Sequence, residues 1–352
     1  MEQEVLEALE KNKHMRIIVP MAGRGSRLRP HSLTVPKPLL PIAGVPIVHQ
    51  LVKEIAKVVS QPISDIAFIL GDPAFFGTEV ETSLSSLAAT LGAKAHIFRQ
   101  LEPLGTGHAI MCAETLLEGP AVVAYADTLI RANLQLDPEA DGVIWVKQVP
   151  DPTAFGVVEL NDAGSIVNLV EKPQEFVSDL AVIGIYYFKQ IEVLKAALQK
   201  VIAQKLNPGE EYQINEGILA MMAAGKVFKP GQVKHWMDCG NPKVTLSTHQ
   251  KILGLKTAEN EVLIDPSALI ENSQIIPPCY IGKGVKISNS SVGPHVSLGA
   301  GTQVRDAQIK NCLIQENTQI EETTLENAMI GNHVRYKGKP TFVSIGDYSE
   351  IY

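Results

Sequence analysis

The sequence is poor in features that define several large classes of proteins. Its 352 residues include four cysteines, at positions 112, 239, 279 and 312, which lie far apart and form no Cys-x-x-Cys pair. This spacing disfavours both a zinc knuckle and a disulfide framework, so we expect reduced thiols in a cytoplasmic protein. No segment approaches the roughly 20 consecutive apolar residues that a membrane span requires. The composition therefore argues against a membrane protein and against a small disulfide-stabilised one.

The chain also has fewer basic than acidic residues. The chain has 31 Lys and Arg against 38 Asp and Glu, a formal net charge of -7, so we expect no nucleic acid as its main partner. Residues 1–14 contain four glutamates, whereas a signal peptide needs a basic start followed by an apolar run. We expect a short helical extension there, ahead of the first strand, and Met15 is a candidate for the functional start. With 45% apolar and 20% charged residues, the chain is typical of soluble globular proteins.

At roughly 150 residues per domain, this length predicts two domains. From Arg16 to about Gly240, short apolar runs typical of strands alternate with segments of helical periodicity. This order predicts an α/β sheet with crossover helices. Two strands of alternating polarity, Gly156 to Leu160 and Ile166 to Val170, predict a hairpin inserted in that sheet. Further strands are predicted at 17–19, 67–70, 95–98 and 122–126, and helices at 47–59, 80–91, 191–206 and 241–256.

A different pattern begins after Leu263. Aliphatic residues recur about every six positions, and glycine often follows them, as in Ile281-Gly282 and Val292-Gly293. A period near six with small turn residues predicts a hexapeptide parallel β-helix with coils of about 18 residues, an irregular β-sandwich being the alternative. We therefore divide the chain into a helical extension (1–14), an α/β domain (15–257) and a β-helix domain (258–352).

The strongest local signal follows the first predicted strand, where residues 20–30 read PMAGRGSRLRP. Glycines there let backbone N–H groups approach a phosphate chain, and Arg27 supplies a planar fork of donors for phosphate oxygens. The loop is not a P-loop, because no Gly-Lys-Ser/Thr follows at the required spacing. It is not a dinucleotide fingerprint either, because Leu28 stands at the third glycine position. Taken alone, it could also be a glycine-rich tight turn with a surface arginine.

Together with Pro36-Lys37-Pro38-Leu39, this loop resembles the signature of the sugar-1-phosphate nucleotidyltransferases, also called nucleotide-sugar pyrophosphorylases. The resemblance covers residues 15 to about 250, and a hexapeptide tail is familiar in many members. It implies a Rossmann-like mixed-sheet domain followed by a short left-handed parallel β-helix. It also implies an enzyme that condenses a nucleoside triphosphate with a sugar 1-phosphate and releases pyrophosphate, with Arg27 and Lys37 as catalytic cations. The nucleotide phosphates would meet Ala22, Gly23, Gly25, Ser26 and Arg27.

The segment from Gln100 to Ala109, QLEPLGTGHA, resembles the base-reading loop of that family. Gln100 and the backbone near Gly105 and Thr106 would then meet a pyrimidine edge. A glutamine amide can donate and accept together, which suits the imide N–H and carbonyls of uracil or thymine. Guanine-using relatives usually carry Glu at this position, so the resemblance favours UTP or dTTP. The alternative for Gln100 is a solvent-facing strand residue.

The resemblance also implies a metal site. Asp127, after the strand at 122–126, stands where the family holds its metal, and the second carboxylate would be Asp238 in Trp-Met-Asp-Cys-Gly. Two carboxylates could converge on one Mg²⁺, a hard cation suited to oxygen ligands and substrate phosphates. Either aspartate alone could equally be a strand-end or helix-capping residue.

A sugar-phosphate half of the site is expected on the hairpin and the strand after it. By the same resemblance, Lys172 would be the cation on the sugar 1-phosphate and a catalytic residue, Glu171 would accept a sugar hydroxyl, and Gly156 would allow close backbone approach. Tyr186 lies on a strand that could face the sugar, for which core packing is the alternative.

Several functions stay open at this point. We expect glucose 1-phosphate or a close relative as the sugar substrate. A GTP-dependent mannose-1-phosphate guanylyltransferase is the first alternative, against which Gln100 argues; a non-catalytic regulatory subunit is the second, against which the full set of charged site residues argues. A third is a bifunctional enzyme whose β-helix transfers acyl groups, for which the repeat offers only His295 and His333. We expect a homo-oligomer in which the β-helix packs against neighbouring subunits, because repetitive β surfaces expose edges.

Overall fold

A computed structural model describes residues 14–59, 61–132, 136–137, 139–204, 209–338, 344–347 and 350–351. The chain divides into two compact units. The first holds the described residues up to Gly23 together with His49–Trp236, and the second holds Arg24–Val48 together with the described residues from Met237 onward. The helical extension expected at 1–14 falls outside the described residues except for His14. The domain boundaries expected at 14/15 and 257/258 stay predictions.

The elements of the α/β part alternate as the apolar pattern predicts. The strands up to residue 238, in chain order, are β1 (Met15–Pro20), β2 (Pro41–Ile42), β3 (Val45–Pro46), β4 (Ile63–Leu70), β5 (Lys94–Arg99), β6 (Ala121–Ala124), β7 (Thr128–Arg131), β8 (Gly142–Gln148), β9 (Gly156–Leu160), β10 (Ile166–Glu171), β11 (Leu180–Phe188), β12 (Phe228–Gln232) and β13 (His235–Asp238). The α-helices of the described residues are α1 (Ile47–Val58), α2 (Thr78–Thr90), α3 (Thr106–Met111), α4 (Ile191–Ile202), α5 (Ile214–Ala223) and α6 (Pro242–Ala258).

The first unit is built on one mixed sheet with the strand order β5-β4-β1-β6-β11-β8-β12-β10-β9. β5, β4, β1 and β6 are mutually parallel, and β11 runs antiparallel to β6 and β8. The central strands are almost continuous apolar runs, as expected where helices cover both faces of a parallel sheet. The predicted Rossmann-like mixed sheet is confirmed.

The predicted hairpin is also confirmed, with Val170 opposite Val157 and Glu171 opposite Gly156.

Two helices were missed, α3 and α5. α5 contains a glycine, which lowers helix propensity, yet it packs closely on α4: a Cβ at Gly217 would lie 2.8 Å from Leu198 Cδ2. Close packing against a neighbouring helix outweighs the local cost of glycine here.

The chain after α6 forms stacked parallel strands. These are β14 (Leu269–Glu271), β15 (Gln274–Ile275), β16 (Cys279–Ile281), β17 (Lys286–Ser288), β18 (Ser291–Val292), β19 (Val296–Leu298), β20 (Gln303–Arg305), β21 (Gln308–Ile314), β22 (Gln319–Glu321), β23 (Thr324–Ile330), β24 (Arg335–Lys337), β25 (Ser344–Ile345) and β26 (Glu350–Ile351). One face follows the order β14-β17-β20-β22-β24-β26, with every step parallel. A parallel β-helix is confirmed; its left-handed sense stays a prediction.

The coils are shorter than the predicted 18 residues. Leu269 lies beside Lys286, Lys286 beside Gln303 and Gln303 beside Gln319, which are steps of 17, 17 and 16 residues. The reason is a corner turned by a single residue with positive φ, such as Asn289 (48°) or its counterpart in the other coils. Such residues need no extra turn position, and Asn and Asp tolerate this conformation best among side-chain-bearing residues.

The interior of the β-helix is a stack of aliphatic side chains. Ile287, Val304 and Ile320 occupy the same position in successive coils and are at most 1% exposed. Helix α6 packs against this body, and the buried Nε2 of His249 lies 2.7 Å from Ser297 Oγ. Among the described residues, none of the helices combines the length and apolar character needed to cross a bilayer.

Candidate active site

Three predicted site residues of the first unit lie at one edge of its sheet. Gly23 follows the carboxyl end of β1, Gln100 that of β5 and Asp127 that of β6, and these three strands are parallel. β1 connects on one side to β4 and on the other to β6, so this edge contains the point where the winding of the sheet reverses. Ligands of open α/β sheets bind in the crevice at such a point.

Open space surrounds the first glycine of the signature loop. A Cβ built on Gly23 would meet no atom within 4 Å, and the residue is exposed. Ala22 before it is half-buried, and the backbone N–H of Met21 donates to the Ile69 carbonyl at 2.9 Å, which keeps the chain in line with the sheet. The Gly23 backbone is therefore accessible to a ligand, as a phosphate-binding glycine requires.

The rest of the signature loop belongs to the second unit. Gly25 adopts φ 63° and ψ 38°, and its carbonyl accepts hydrogen bonds from Leu28 N at 2.9 Å and Ser32 Oγ at 2.6 Å. This turn begins a short 3₁₀ helix, Ser26–Leu28, in which Leu28 is buried while Ser26 and Arg27 are exposed. The Arg27 guanidinium is thus carried by a fixed backbone and is open to solvent.

Lys37 meets this turn directly. It begins the 3₁₀ helix Lys37–Leu39 and is only 7% exposed. A Cβ built on Gly25 would lie 2.6 Å from Lys37 Cβ, closer than atoms of this kind approach. Two residues that the resemblance assigns to the same phosphates are therefore brought together, and the contact requires glycine at position 25 for both its space and its φ.

The predicted base-reading loop is fixed by its own glutamine. Gln100 is buried and not solvent-facing, and its Nε2 donates to the Gly105 carbonyl at 2.9 Å and lies 3.1 Å from His108 Nδ1. In this orientation the amide nitrogen serves the loop itself. The sequence had not indicated that His108 takes part.

A backbone contact with residues about a hundred positions later completes the loop. Gly107 N donates to the Tyr212 carbonyl at 2.7 Å, and Tyr212 N donates to the Leu104 carbonyl at 2.9 Å. At Gly105, with φ 102°, a Cβ would lie 2.5 Å from that same Tyr212 oxygen. Thr106 Oγ1 accepts from Ile214 N at 3.0 Å and lies 2.9 Å from Gln213 Oε1, which ties the start of α3 to the start of α5.

Tyr125 interacts electrostatically with residues from several predicted parts of the site. Burial raises the pKa of its phenol far above the usual range; the Thr106 and Tyr186 hydroxyls oppose this, and the Glu171 and Asp127 carboxylates add to it. Its buried hydroxyl nevertheless has no partner at hydrogen-bond geometry among the described residues. One phenol is therefore influenced by a residue of the predicted base-reading loop (Thr106), the predicted metal ligand Asp127 and the hairpin residue Glu171. Its place two residues before Asp127 is the only sequence signal that could have indicated it.

The hairpin presents its charged residues to solvent. Side chains of Glu171 and Lys172 are 53% and 65% exposed, and Lys172 Nζ lies 3.5 Å from Glu171 Oε1. A Cβ on Gly156 would lie 2.8 Å from Glu171 Oε2, so the glycine makes room for this carboxylate. Asn215 Nδ2, which the sequence did not indicate, lies 3.5 Å from the same Oε2.

Tyr186 is a core residue in this structure. It is 3% exposed, and its ring packs edge-on against Tyr125 with ring centroids 5.8 Å apart. Burial, with the Tyr125 phenol and the Glu171 carboxylate as lesser causes, raises the pKa of its hydroxyl well above the usual range. Its contacts are those of a packing residue behind the site.

The two candidate metal ligands fall in different units. Asp127 is half-buried after β6 in the first, and Asp238 is half-buried at the end of β13 in the second. Thr248 Oγ1 donates to the Asp238 carbonyl at 2.5 Å, and Gly240 leaves room for the carboxylate, because a Cβ there would lie 2.7 Å from Asp238 Oδ2. Across the described ranges, no three His, Cys, Asp or Glu side chains cluster as metal ligands. A Mg²⁺ held by two carboxylates and substrate phosphates needs no such cluster.

Comparisons with known proteins agree with this description. The family model described as "Nucleotidyl transferase" matches residues 17–254. The chain is 27% identical to a glucose-1-phosphate thymidylyltransferase of Streptomyces griseus, over 95% of this chain and 98% of the relative. It is 28% identical to a bifunctional protein GlmU of Methanococcus maripaludis, over 94% and 84%. It is 29% identical to a mannose-1-phosphate guanylyltransferase catalytic subunit beta of Drosophila melanogaster, over 77% and 72%.

Proposed function

The chain belongs to the nucleotidyl transferase family, in the sugar-1-phosphate group, and on that premise we propose that it joins glucose 1-phosphate to dTTP or UTP, forming a nucleotide sugar and pyrophosphate. Membership of this family makes the chain an enzyme that transfers phosphorus-containing groups. The observation that supports the finer proposal is the fixed amide of Gln100, whose Nε2 donates to the Gly105 carbonyl at 2.9 Å within the predicted base-reading loop.

In the proposed reaction, an oxygen of the sugar 1-phosphate attacks the α-phosphorus of the nucleotide in line. The bond from that phosphorus to the bridging oxygen breaks, and pyrophosphate leaves with the electron pair. Neither a covalent enzyme intermediate nor a proton transfer is required. The protein's task is to hold two polyanions together and to offset the charge that develops, which is positioning plus electrostatics.

Each group of residues has a part in this scheme. Backbone N–H groups from Ala22 to Ser26 would bind the nucleotide phosphates, and Arg27 and Lys37 would offset the charge of the departing pyrophosphate. Lys172 would align the attacking phosphate, while Glu171 would accept a sugar hydroxyl beside Gly156. The exposure of Arg27 and Lys172 supports these roles, since both charges are open to a ligand. Tyr186 would pack behind the sugar and support the site without binding it.

The donor chemistry at Asp127 and Asp238 fits Mg²⁺. Both are half-buried carboxylates, and two such ligands leave coordination positions for phosphate oxygens. When bound, the ion would polarise the reacting phosphates and neutralise part of their charge. Gly240 would keep the Asp238 carboxylate unobstructed, and Thr248 would hold its backbone carbonyl.

The choice of base rests on Gln100. Its amide donors are used by Gly105 and His108, which leaves Oε1 to accept the imide N–H of uracil or thymine. Backbone N–H groups of the loop near Gly105 would serve the flanking carbonyls. The thymidylyltransferase relative supports this reading, and the guanylyltransferase relative supports the GTP alternative.

The test is pyrophosphate release with Mg²⁺, crossing UTP, dTTP, GTP, ATP and CTP against the 1-phosphates of glucose, mannose, galactose, N-acetylglucosamine and N-acetylmuramate. Release confined to UTP or dTTP with glucose 1-phosphate is the expected result. Asp127→Asn, prepared in parallel, is the control for contaminating activity and should be silent.

Other outcomes separate the alternatives. Release with GTP and mannose 1-phosphate alone would overturn the role of Gln100 but not the reaction class. Silence of well-folded protein across the whole grid would favour a regulatory subunit instead.

The site of action and the assembly are part of the same proposal. The described cysteines are free thiols, which suits the cytoplasm, where nucleoside triphosphates and sugar phosphates are made. We further propose a homo-oligomer in which the β-helix contributes to assembly, since stacked strands expose edges. Light scattering that reports a monomer at all concentrations would contradict this.

A further inference from the structure

The segment that carries the phosphate-binding cations packs with the β-helix. Arg24–Val48 groups with the chain from Met237 onward, apart from the sheet whose first strand leads into it. Arg27 and Lys37 both lie on this segment. The β-helix is therefore in direct contact with the part of the chain proposed to stabilise the leaving pyrophosphate.

The first contact is at the hairpin that follows Lys37. β2 and β3 are joined by Ala43 and Gly44, both with positive φ (49° and 76°). The ring of Tyr280, from β16, lies so close to Gly44 that any Cβ there would overlap it. On the same hairpin, Gln315 Nε2 lies 3.5 Å from the Pro41 carbonyl oxygen.

The second contact precedes Lys37. Thr34 Oγ1 donates to Oδ2 of Asp347, in the last described coil. The other oxygen of that carboxylate, Oδ1, accepts from Asn332 N at 2.6 Å and from Asn332 Nδ2 at 3.2 Å. Asp347 is thus held by the preceding coil while it accepts from Thr34.

Lys37 lies between these two contacts, three residues after Thr34 and four before Pro41. We propose that Thr34, Asp347 and Tyr280 are positioning residues that hold Lys37, and through Gly25 also Arg27, in place for pyrophosphate. The β-helix would then be a working part of the catalytic site in addition to any role in assembly. This inference rests on the proposed function of Lys37 and Arg27.

The physical reason is that a cation stabilises the negative charge of the leaving pyrophosphate only when it is held at the right distance from it. A misplacement of about 1 Å can cost roughly a hundredfold in rate. The segment is a loop with two short 3₁₀ turns and a two-residue hairpin, so it has little regular structure of its own. The contacts on the two sides of Lys37 therefore help to fix the conformation of the segment.

The experiment uses Thr34→Val and Tyr280→Ala in the full chain, with Thr34→Ser and Tyr280→Phe as matched variants that keep the hydroxyl or the ring. Glu326→Gln is the control, since this β-helix carboxylate pairs with Lys310 at 2.9 Å within the β-helix. We expect Thr34→Val and Tyr280→Ala to lower kcat and raise the KM for the nucleotide, together by roughly tenfold or more in kcat/KM. The KM for the sugar 1-phosphate and the melting temperature should stay within about twofold and a few degrees of wild type.

A second measurement distinguishes positioning from general stability. In a Lys37→Ala background, Thr34→Val should have little further effect if it acts through Lys37, so the two losses should not multiply. Independent, multiplying effects would overturn the proposal, and so would wild-type kinetics in a folded Thr34→Val or Tyr280→Ala.

Pyrophosphate binding separates this inference from the proposed function. Titration calorimetry with inorganic pyrophosphate should show weaker binding to Thr34→Val than to wild type, Thr34→Ser or Glu326→Gln, whatever the substrates prove to be. If the wild-type chain binds pyrophosphate but catalyses none of the reactions, only the proposed function fails. If all these variants bind it equally, the positioning role fails.

Discussion

Replacing Gly25 with alanine should disable the site while leaving most of the protein folded. The change adds one methyl group at a residue with φ 63°, a conformation that costs an L-residue about 1–2 kcal/mol. That methyl would lie 2.6 Å from Lys37 Cβ, an atom fixed to the backbone that cannot swing away. Overpacking of this kind costs about 1–3 kcal/mol.

The loop has few ways to relieve the strain. The Gly25 carbonyl is held by Leu28 N and Ser32 Oγ, so the shift must fall on Lys37 or break these hydrogen bonds. The combined cost, about 2–5 kcal/mol, lowers the population of the native loop by roughly 30-fold to a few thousandfold. We expect kcat/KM for pyrophosphate release to fall by at least about 30-fold.

Gly92 provides a matched control, and Gly23 tests the phosphate contact itself. Gly92 has φ 70° and no atom within 4 Å of a built Cβ, so Gly92→Ala carries the backbone strain without the clash. It should lower the melting temperature slightly and leave kcat/KM of the folded enzyme unchanged. Gly23→Ala meets neither strain nor neighbour and should keep full stability, but lose activity if phosphate approaches that backbone. Activity of Gly25→Ala within about threefold of Gly92→Ala would refute the reasoning.

Three further predictions concern other parts of the chain. Asp127→Asn removes a charge with little change of shape, so turnover should fall by roughly two orders of magnitude or more at an unchanged melting temperature; wild-type turnover would sink the metal assignment. Gly105→Ala places a methyl 2.5 Å from the Tyr212 carbonyl oxygen, so the nucleotide KM should rise by roughly tenfold while the KM for the sugar phosphate stays constant; parallel changes in both would contradict a nucleotide role. Burial lowers the pKa of His249 from 6.5 to about 3, so the folded state holds a neutral imidazole. The free energy of unfolding is therefore highest above pH 6.5 and falls as the pH drops toward 3, because the unfolded state binds the proton. At pH 5 the loss is about 2 kcal/mol. Urea unfolding at pH 7.5 and pH 5 should therefore show a smaller pH dependence in His249→Asn than in wild type, and equal dependence would count against a buried neutral imidazole.

The sheet and the β-helix were predictable because each depends on a local repeat. Apolar runs such as Ile17 to Val19 predicted buried parallel strands, and the six-residue recurrence of aliphatic residues predicted the stacked coils. The coil length was not predictable from that recurrence. Single residues such as Asn289 turn a corner by adopting positive φ, and the sequence does not state which asparagines do so.

The candidate site was predictable in its residue types and less so in its contacts. The signature loop indicated Gly25, Arg27 and Lys37, but the fit of Gly25 against Lys37 depends on the path of the eleven residues between them. Tyr125 was missed, since its place two residues before Asp127 is its only sequence signal and does not by itself mark a tyrosine as part of a site. Tyr212 was missed because its contribution is a backbone hydrogen bond, which no side-chain pattern records.

By itself, the sequence determined most of the alternation of strands and helices, the stacked repeat and the glycine-rich loop after β1. These follow from hydrophobic periodicity and from the steric freedom of glycine, which act over a few residues. Only the tertiary structure decided that Arg24–Val48 packs with the β-helix, and that Tyr212 accepts a hydrogen bond from Gly107 in the predicted base-reading loop. Contacts between residues distant along the chain depend on how the sheet curves and how the coils stack, and local periodicity carries no information about either.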